Sequence, residues 1–430
     1  MTTAHTLPAP RAALMRDANF RWLVAGGAIS MLGDQFTLIA LPWLVLRMTG
    51  DTVVLGIVLA LISVPRAVLI LVGGAIVDRY SPRQVLMVTK HASTVLLGVL
   101  AVGAWTGSLT LPAIYALSLG IGLATAFSIP SGMSILPRSL PPAQLPAANG
   151  ITMGMRQLSM FIGPLAAGVL VAIGGSGQHG LEDARGIAIG FGIDAFSFAL
   201  SAWTLSRVKT RDGAPPQQGA GPSVGRSILD VLAHVRKDAQ LLTCYLYWAA
   251  VAVLVLGPLQ IALPVMASQR PELGASALGL MAGAHGAGTL VGMVVAGARP
   301  GLRIGTLGST LLVFDLLIGA LFLPFGHVET AWQGAGLMTA VGVLGGSMQV
   351  AIFTWLQSRV PPAMIGRAMS LFMFIFMGLV PMSAAVTGWA MRSVSVSQLF
   401  TACGSMLMLV AVAAAVASPM RGIRDVRHAA

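Results

Sequence analysis

The feature that most constrains this chain is a series of twelve apolar stretches that fills its 430 residues almost from end to end. A helix of about 20 mostly apolar residues spans a hydrocarbon core roughly 30 Å thick, and each stretch is long enough to do so. The sequence therefore predicts an all-α membrane protein with twelve transmembrane helices. The expected spans are 20–46, 53–77, 84–105, 111–136, 147–174, 187–206, 241–267, 276–298, 304–325, 331–356, 367–391 and 396–418.

Composition and charge placement exclude other classes of protein. Hydrophobic residues make up 56% of the chain and charged residues only 9%, against roughly 25% charged residues in a soluble domain. The net charge of +12 does not indicate a nucleic-acid partner, because 21 of the 26 Lys and Arg fall on the side that carries both termini. The positive-inside bias then predicts that both termini are cytoplasmic, with the chain in the plasma (inner) membrane.

A Gly- and Pro-rich segment divides the chain near its middle. Residues 207–240 have the composition of a linker and carry several basic residues, which predicts a cytoplasmic connection. Four further regions are expected on either side of it. They are a cytoplasmic N-terminal segment at 1–19, six-helix bundles at 20–206 and 241–418, and a cytoplasmic tail at 419–430.

The two halves repeat short sequences in a common register. The residues Ile-Ala-Leu-Pro at 39–42 recur at 261–264, and Pro-Pro-Ala at 141–143 recurs at 361–363. Proline and glycine often mark helix ends, but the nearly constant offset favours duplication. Parallel repeats are typical of a two-bundle transporter whose binding site lies at the membrane midplane between the halves.

The segment after the second span resembles the signature of the major facilitator superfamily, G-x-x-x-D-R-x-G-R-R/K, and the chain is similar to that superfamily over essentially its full length. The sequence matches at Gly74, Asp78, Arg79 and Arg83 and departs at Ser81 and Pro82. The resemblance implies two pseudo-symmetric six-helix bundles and a latch between them at this loop. A basic turn that only anchors the helices at the membrane surface is the alternative interpretation.

A second motif lies in the fifth span and resembles the antiporter signature G-x-x-x-G-P-x-x-G-G. It matches at Gly163, Pro164 and Gly168, with Ser159 and Ala167 in place of two glycines. Proline kinks a helix and small residues allow close contact, so the segment is interpreted as a moving seam, with plain helix packing as the alternative. Together with residues 33–34 and 43–50, it is similar to the drug-proton antiporter branch, which includes macrolide efflux proteins and siderophore exporters.

Two charged residues lie deep in the first two spans. Asp34 lies about 21 Å along the first span and Arg66 about 18 Å from the inner end of the second, at roughly 1.5 Å per residue. Charges at the bilayer centre are costly and usually face a cavity or a partner. Asp34 is therefore the first candidate for a protonatable coupling group, with Arg66 beside it. A static salt bridge between the two residues is the other interpretation.

Other polar and Met residues are candidates of lower rank. Helices 3, 6, 9 and 12 are mostly peripheral in the superfamily, so the acids on helices 6 and 9 rank lower as cavity residues. A histidine that packs between helices is also commoner than one that titrates. The cavity candidates are Arg156, Gln157, Gln349, Trp355, Met373 and Met377. The weaker ionisable candidates are His285, Asp315 and Asp194.

The function predicted from the sequence is secondary active transport. We expect export of a hydrophobic or amphipathic small molecule by alternating access and proton antiport, with a siderophore, natural-product or lysolipid exporter as the alternative. A non-transporting receptor is a third reading. The sequence has no P-loop, H-E-x-x-H or G-x-S-x-G motif, so no enzyme activity, metal or cofactor is expected. The expected partners are the substrate, protons and the lipid bilayer, with the chain a monomer.

Overall fold

A computed structural model describes residues 14–79, 81–141, 144–174, 184–210, 233, 235–270, 273–299, 303–360 and 365–424. Twelve long helices run through these ranges. The first six are α1 Ala18–Thr49, α2 Thr52–Arg79, α3 Pro82–Thr106, α4 Leu111–Ser139, α5 Leu145–Ile173 and α6 Arg185–Ser206. The next six are α7 Ala239–Gln269, α8 Gly274–Ala298, α9 Leu307–Phe322, α10 Ala331–Arg359, α11 (Ile365–Phe374, Ile375–Leu379 and Val380–Ala390) and α12 Val396–Ala417.

Local signals set where the helices begin and end. The Asp17 side chain accepts a hydrogen bond from the Phe20 N–H and caps α1, which ends at Gly50 with φ 63°. At the start of α10, Thr330 and Gln333 bond each other's backbone N–H groups in a capping box. These contacts satisfy backbone groups that a helix end leaves unpaired.

The predicted twelve spans are confirmed, with one difference in the segment after the second span. We expected a turn at residues 78–83, but α2 continues to Arg79 and α3 begins at Pro82. Charged residues end a membrane span without ending a helix, whereas Pro82 fits the first turn of the next helix, where its missing N–H costs nothing. Asp78 and Arg79 thus lie on the last turn of α2.

The helices form two six-helix bundles. In the first bundle α1 packs against α5 and α6, and α3 packs against α4 and α6. In the second, α8 packs closely against α10, and α9 against α12. The bundles meet along two helix pairs, α5 with α8 and α2 with α11. The outer faces are apolar: Val88, Val95 and Val102 are exposed along one side of α3, as expected of a chain surrounded by hydrocarbon.

Two helices of the second bundle contain a π-helical turn. In α7 the π segment Ala252–Leu256 ends where the Gly257 N–H donates to the Ala252 carbonyl. The Val253 carbonyl then has no donor in its own helix, because its remaining partner would be Pro258, which has no N–H. The Ser383 Oγ of α11 donates to it at 2.6 Å.

The second π segment lies in α11, the helix that supplies this donor. It spans Ile375–Leu379 and is followed by Pro381. The two π segments contact each other, and a Cβ on Gly378 would lie 3.6 Å from the Cβ of Ala67 on α2. The irregular backbone of the second bundle therefore reaches the interface with the first.

Candidate functional site

Asp34 lies in the middle of α1 and is the centre of a charged cluster. Its carboxylate interacts electrostatically with Lys90 on α3, Arg66 on α2 and Arg156 on α5. The Asp34 and Arg156 side chains are exposed, although three helices of the same bundle supply the surrounding cations. An exposed carboxylate encircled by helices faces a concave space rather than lipid. Asp34 therefore has the position expected of a group that exchanges a proton or binds a charged ligand.

The predicted direct pairing of Asp34 with Arg66 is not found. The guanidinium of Arg66 donates to the Thr125 Oγ1 on α4, at 3.3 Å from Nε and 3.2 Å from Nη2. Within the described ranges no salt bridge joins Arg66 to Asp34, and their interaction is electrostatic at longer range. A hydroxyl already holds Arg66, so Asp34 is not locked in a static ion pair.

Asp194 lies next to this cluster, closer than its position on the peripheral helix α6 indicated. It is only 1% exposed, and its carboxylate accepts hydrogen bonds from the hydroxyl of Thr37 on α1 and from the Ser197 Oγ at 3.3 Å. Close approach of α6 to α1 requires Gly33, because a Cβ there would lie 2.6 Å from the Asp194 Oδ1. Asp34 therefore lies on the same turn of α1 that packs against Asp194 of α6.

Lys90 completes the cluster, and sequence reasoning gave it no function. Its Nζ lies 3.4 Å from the Ser30 Oγ and 5.3 Å from the ring centre of Phe198. It interacts electrostatically with both Asp34 and Asp194. Its position along α3 could have indicated a function. Lys90 lies about 12 Å from the start of the helix at roughly 1.5 Å per residue, which is far for an ammonium that only contacts lipid headgroups.

The antiporter-like motif of α5 lies between two partner helices. Gly163 packs against Gln35 of α1, while Gly168 packs against α8 of the second bundle. A Cβ on Gly168 would lie 2.7 Å from the Cα of Gly279 and 2.8 Å from the Ala275 carbonyl oxygen. The motif therefore lets the backbones of the two bundles touch. This contact is compatible with both the moving seam and plain helix packing, so the seam stays a prediction.

The bundles are also joined at the end that lies opposite the start of α1, here called the distal face. There the Thr52 Oγ1 donates to the Gly388 carbonyl at 2.7 Å, and Arg392 forms a salt bridge of 2.9 Å with Asp51. The hydrogen bond from Arg392 holds the pKa of the Asp51 carboxyl below its usual value. The distal face is closed in this conformation.

Two predicted cavity residues occupy other positions. The amide of Gln157 donates to the sulfur of Met293, so this buried side chain lies in the α5–α8 interface. Trp355 is buried in the second bundle, with its ring centre 6.2 Å from that of Trp248. In this conformation both side chains are packed, because helical position alone does not distinguish a cavity face from a packed one, and their contact with a ligand stays a prediction.

The remaining cavity candidates are more accessible. Gln349 is exposed on α10, while Met373 and Met377 are half-buried. Met377 lies within the π segment of α11. These positions are compatible with a face that contacts a ligand, and their function stays a prediction.

The weaker candidates of the second bundle lie between packed helices, and their function stays a prediction. Asp315 is fully buried and accepts a hydrogen bond of 2.7 Å from the Tyr247 hydroxyl, while its Oδ1 has no partner in the described part of the chain. His285 interacts with the backbone of Met338 across the tight α8–α10 contact. In the ranges that the structure describes, no group of three or more His, Cys, Asp or Glu is arranged to hold a metal ion.

The gating motif is described only in part. Gly74, Asp78 and Arg79 lie on α2, but their side chains fall outside the described residues. Arg83 donates to the backbone carbonyls of Leu205 at 3.3 Å and Ser206 at 2.8 Å. It thereby ties the start of α3 to the end of α6 within one bundle. Both interpretations of the motif, the latch and the membrane-surface anchor, stay predictions.

Comparison with known proteins agrees with this architecture. The sequence model of the Major Facilitator Superfamily matches residues 23–385. The enterobactin exporter EntS of Salmonella paratyphi A is 26% identical over 363 residues, which covers 81% of this chain and 80% of the exporter.

Two solved structures share the fold at lower identity. A bacterial homologue of the iron transporter ferroportin in an inward-facing state superposes with a TM-score of 0.70 and 17% identity, covering 93% of this chain and 98% of that one. A D-xylose-proton symporter gives a TM-score of 0.71 at 12% identity, with 94% and 98% covered.

Proposed function

Because the chain belongs to the major facilitator superfamily, we propose that it exports a hydrophobic or amphipathic small molecule by alternating access, driven by proton antiport. The observation that carries the proposal is Asp34, an exposed carboxylate at mid-helix that faces three cations from three helices. A charge at this depth of a membrane-spanning helix is costly unless it has a function or a partner, and within the described ranges no direct ion pair holds Asp34.

Antiport requires that the substrate and the proton exclude each other. An amphipathic cation meets this condition at Asp34, because the carboxylate attracts it only when ionised and a proton removes that attraction. Binding of such a substrate then strengthens as pH rises, and proton uptake from the other side displaces it. The relatives described as exporters support the outward direction of transport.

The closed distal face supports a cycle in which the two bundles rock about the α5–α8 and α2–α11 contacts. We place the chain in the inner (plasma) membrane with the distal face outside and both termini cytoplasmic, as the distribution of Lys and Arg requires. The test uses one cysteine at a time, Ser393→Cys at the distal face and Ser206→Cys at the other end. An impermeant thiol reagent should label the first in intact cells and the second only after permeabilisation; the reverse pattern contradicts this orientation.

Transport is tested in proteoliposomes with ethidium, an amphipathic cation, as the probe. An imposed pH gradient should drive ethidium accumulation by the wild type, while Asp34→Asn should lose this accumulation, because an amide neither binds the proton nor attracts the cation. The matched control is Asp17→Asn on the same helix, because Asn caps helices as well as Asp does. Gradient-driven accumulation by Asp34→Asn equal to that of the control would refute Asp34 as the coupling group.

A second candidate is export of an acidic siderophore. Three cations surround Asp34 against the two acids Asp34 and Asp194, and the relatives include enterobactin exporters. The pH dependence separates the candidates, because protonation of Asp34 frees positive charge for an anion. Enterobactin binding that strengthens as pH falls supports the second candidate, whereas ethidium binding that strengthens as pH rises supports the first.

A further inference from the structure

The amino group of Lys90 is positioned near two carboxylates on different helices. Asp34 on α1 and Asp194 on α6 both interact with it electrostatically, and the two carboxylates also interact with each other. The contacts of the Lys90 amino group in the described ranges are uncharged: the Ser30 hydroxyl at 3.4 Å, about one turn before Asp34 on α1, and the Phe198 ring centre at 5.3 Å, about one turn after Asp194 on α6. No salt bridge in the described ranges commits Lys90 to either acid.

The two acids depend on Lys90 to different extents. Asp34 also faces Arg66 and Arg156, so it keeps cationic neighbours without Lys90. Lys90 is the cation that interacts with Asp194, and the other partners of Asp194 are the hydroxyls of Thr37 and Ser197. Asp194 therefore competes with Asp34 for the one ammonium group.

We propose that Lys90 is a counter-ion shared by Asp34 and Asp194, and that its division between them sets the pH at which Asp34 takes up a proton. This inference rests on the proposed function, in which Asp34 is the coupling carboxylate. A proton on Asp34 removes its attraction for Lys90 and leaves the ammonium to Asp194, and loss of the proton restores the division. Lys90 and Asp194 are positioning residues, and helices α3 and α6 belong to the coupling site.

The charge changes predict opposite shifts in the titration of Asp34. Lys90→Met removes a cation, so Asp34 should bind its proton at a pH about 1 unit higher. Asp194→Asn removes a neighbouring anion and the competitor for Lys90, so proton binding should move about 1 unit lower. In the double variant Lys90→Met/Asp194→Asn the two changes oppose each other, and the midpoint should return towards that of the wild type.

The measurement is an infrared difference titration of the purified full chain in lipid nanodiscs, which follows carboxyl protonation without a substrate. The band that disappears in Asp34→Asn identifies Asp34. Asp315→Asn is the matched control, since it removes a buried acid of the second bundle outside this cluster, and should leave the midpoint unchanged. Lys90→Arg keeps the positive charge and should titrate like the wild type.

The outcomes separate this inference from the proposed function. Shifts of Lys90→Met and Asp194→Asn in the same direction, or no shift in either, overturn the sharing of Lys90 even when Asp34→Asn abolishes coupling. Proton-driven accumulation that survives in Asp34→Asn overturns the proposed function instead. If Lys90→Met does not fold, the Asp194→Asn arm decides: a midpoint lower by about 1 unit supports the inference, and an unmoved one refutes it.

Discussion

The two bundles share a fold but differ in their charged residues and in the regularity of their helices. The first holds a cluster of charges on α1, α2, α3, α5 and α6, centred on Asp34. The second holds one buried acid, Asp315, with a tyrosine hydroxyl as its partner, and two π-helical turns in contact with each other. The difference indicates that the two bundles have different functions: the first carries the exchangeable charge and the second carries the less regular backbone.

The contact between the bundles gives the strongest test of this division. Gly168→Ala places a Cβ 2.7 Å from the Cα of Gly279, which the distal closure cannot accommodate without separating α5 from α8. We expect transport to fall by about tenfold or more, since a cost of about 1.4 kcal/mol in the closed state changes its population tenfold, while each bundle stays folded.

The matched control for this variant is Gly154→Ala, also on α5. A Cβ there meets nothing within 4 Å, so transport should equal that of the wild type. Both variants are compared by ethidium counterflow at equal amounts of reconstituted protein. Full activity of Gly168→Ala would mean that the bundles do not close through this contact. The view of the bundles as two halves that move separately would then be wrong.

The π segments give a test confined to the second bundle. Ser383→Ala leaves the Val253 carbonyl without its 2.6 Å hydrogen bond, and an unsatisfied buried carbonyl costs about 1–3 kcal/mol. The thermal midpoint of the purified protein should fall by several degrees, with a matching loss of transport. Ser268→Ala removes a hydroxyl that bonds only within α7 and should change neither. An unaltered midpoint in Ser383→Ala would show that the π contact is not a stabilising element.

The smallest effect is expected at the distal salt bridge. Asp51 and Arg392 are 33% and 58% exposed, and an exposed pair is worth roughly 0.5 kcal/mol. Asp51→Asn should therefore reduce occupancy of the distally closed state by about twofold, measured as faster thiol labelling of Thr52→Cys, a position that is buried in the distal contact. Arg392→Met should have the same effect.

The pH dependence of this pair follows from its acid. Because its folded pKa is lowered, the contribution of Asp51 is fully present above the ordinary Asp pKa of about 3.9 and is lost as pH falls through the lower folded value. Distal labelling, divided at each pH by the labelling of a free thiol because only the thiolate reacts, should thus stay constant through neutral pH and rise only below about pH 4. A rise at neutral pH would assign the opening to another group.

The sequence predicted the number of helices and their spans because hydrophobicity is a property of each residue and its near neighbours. It placed the end of α2 too early, since charge ends the span but only Pro82 stops the helical backbone. It also placed Asp34 and Arg66 near the middle of their spans, and both lie near the middle of α1 and α2, but position along a helix does not give the direction in which a side chain points. Arg66 faces Thr125 on α4, which the sequence did not indicate.

The charged cluster could be predicted only in part for the same reason. Lys90, Asp194 and Asp34 come together because α1 packs closely on α6 at Gly33, a tertiary contact with no local sequence signature. Trp355 shows the converse case. An aromatic residue on a predicted pore helix is equally compatible with a cavity wall and a packed core, and the sequence did not indicate that its ring packs beside that of Trp248 in this conformation.

The backbone contact at Gly168 also has a consequence for electrical insulation. A membrane that stores energy as a proton gradient loses it through any continuous file of water, so a transporter must block such a file at all times. Where Gly168 meets Gly279, no side chain separates the backbones and the approach is too close for a water molecule to pass between them. At this crossing the smallest residue makes the tightest barrier, and a larger one that holds the helices apart would open a path for proton leak.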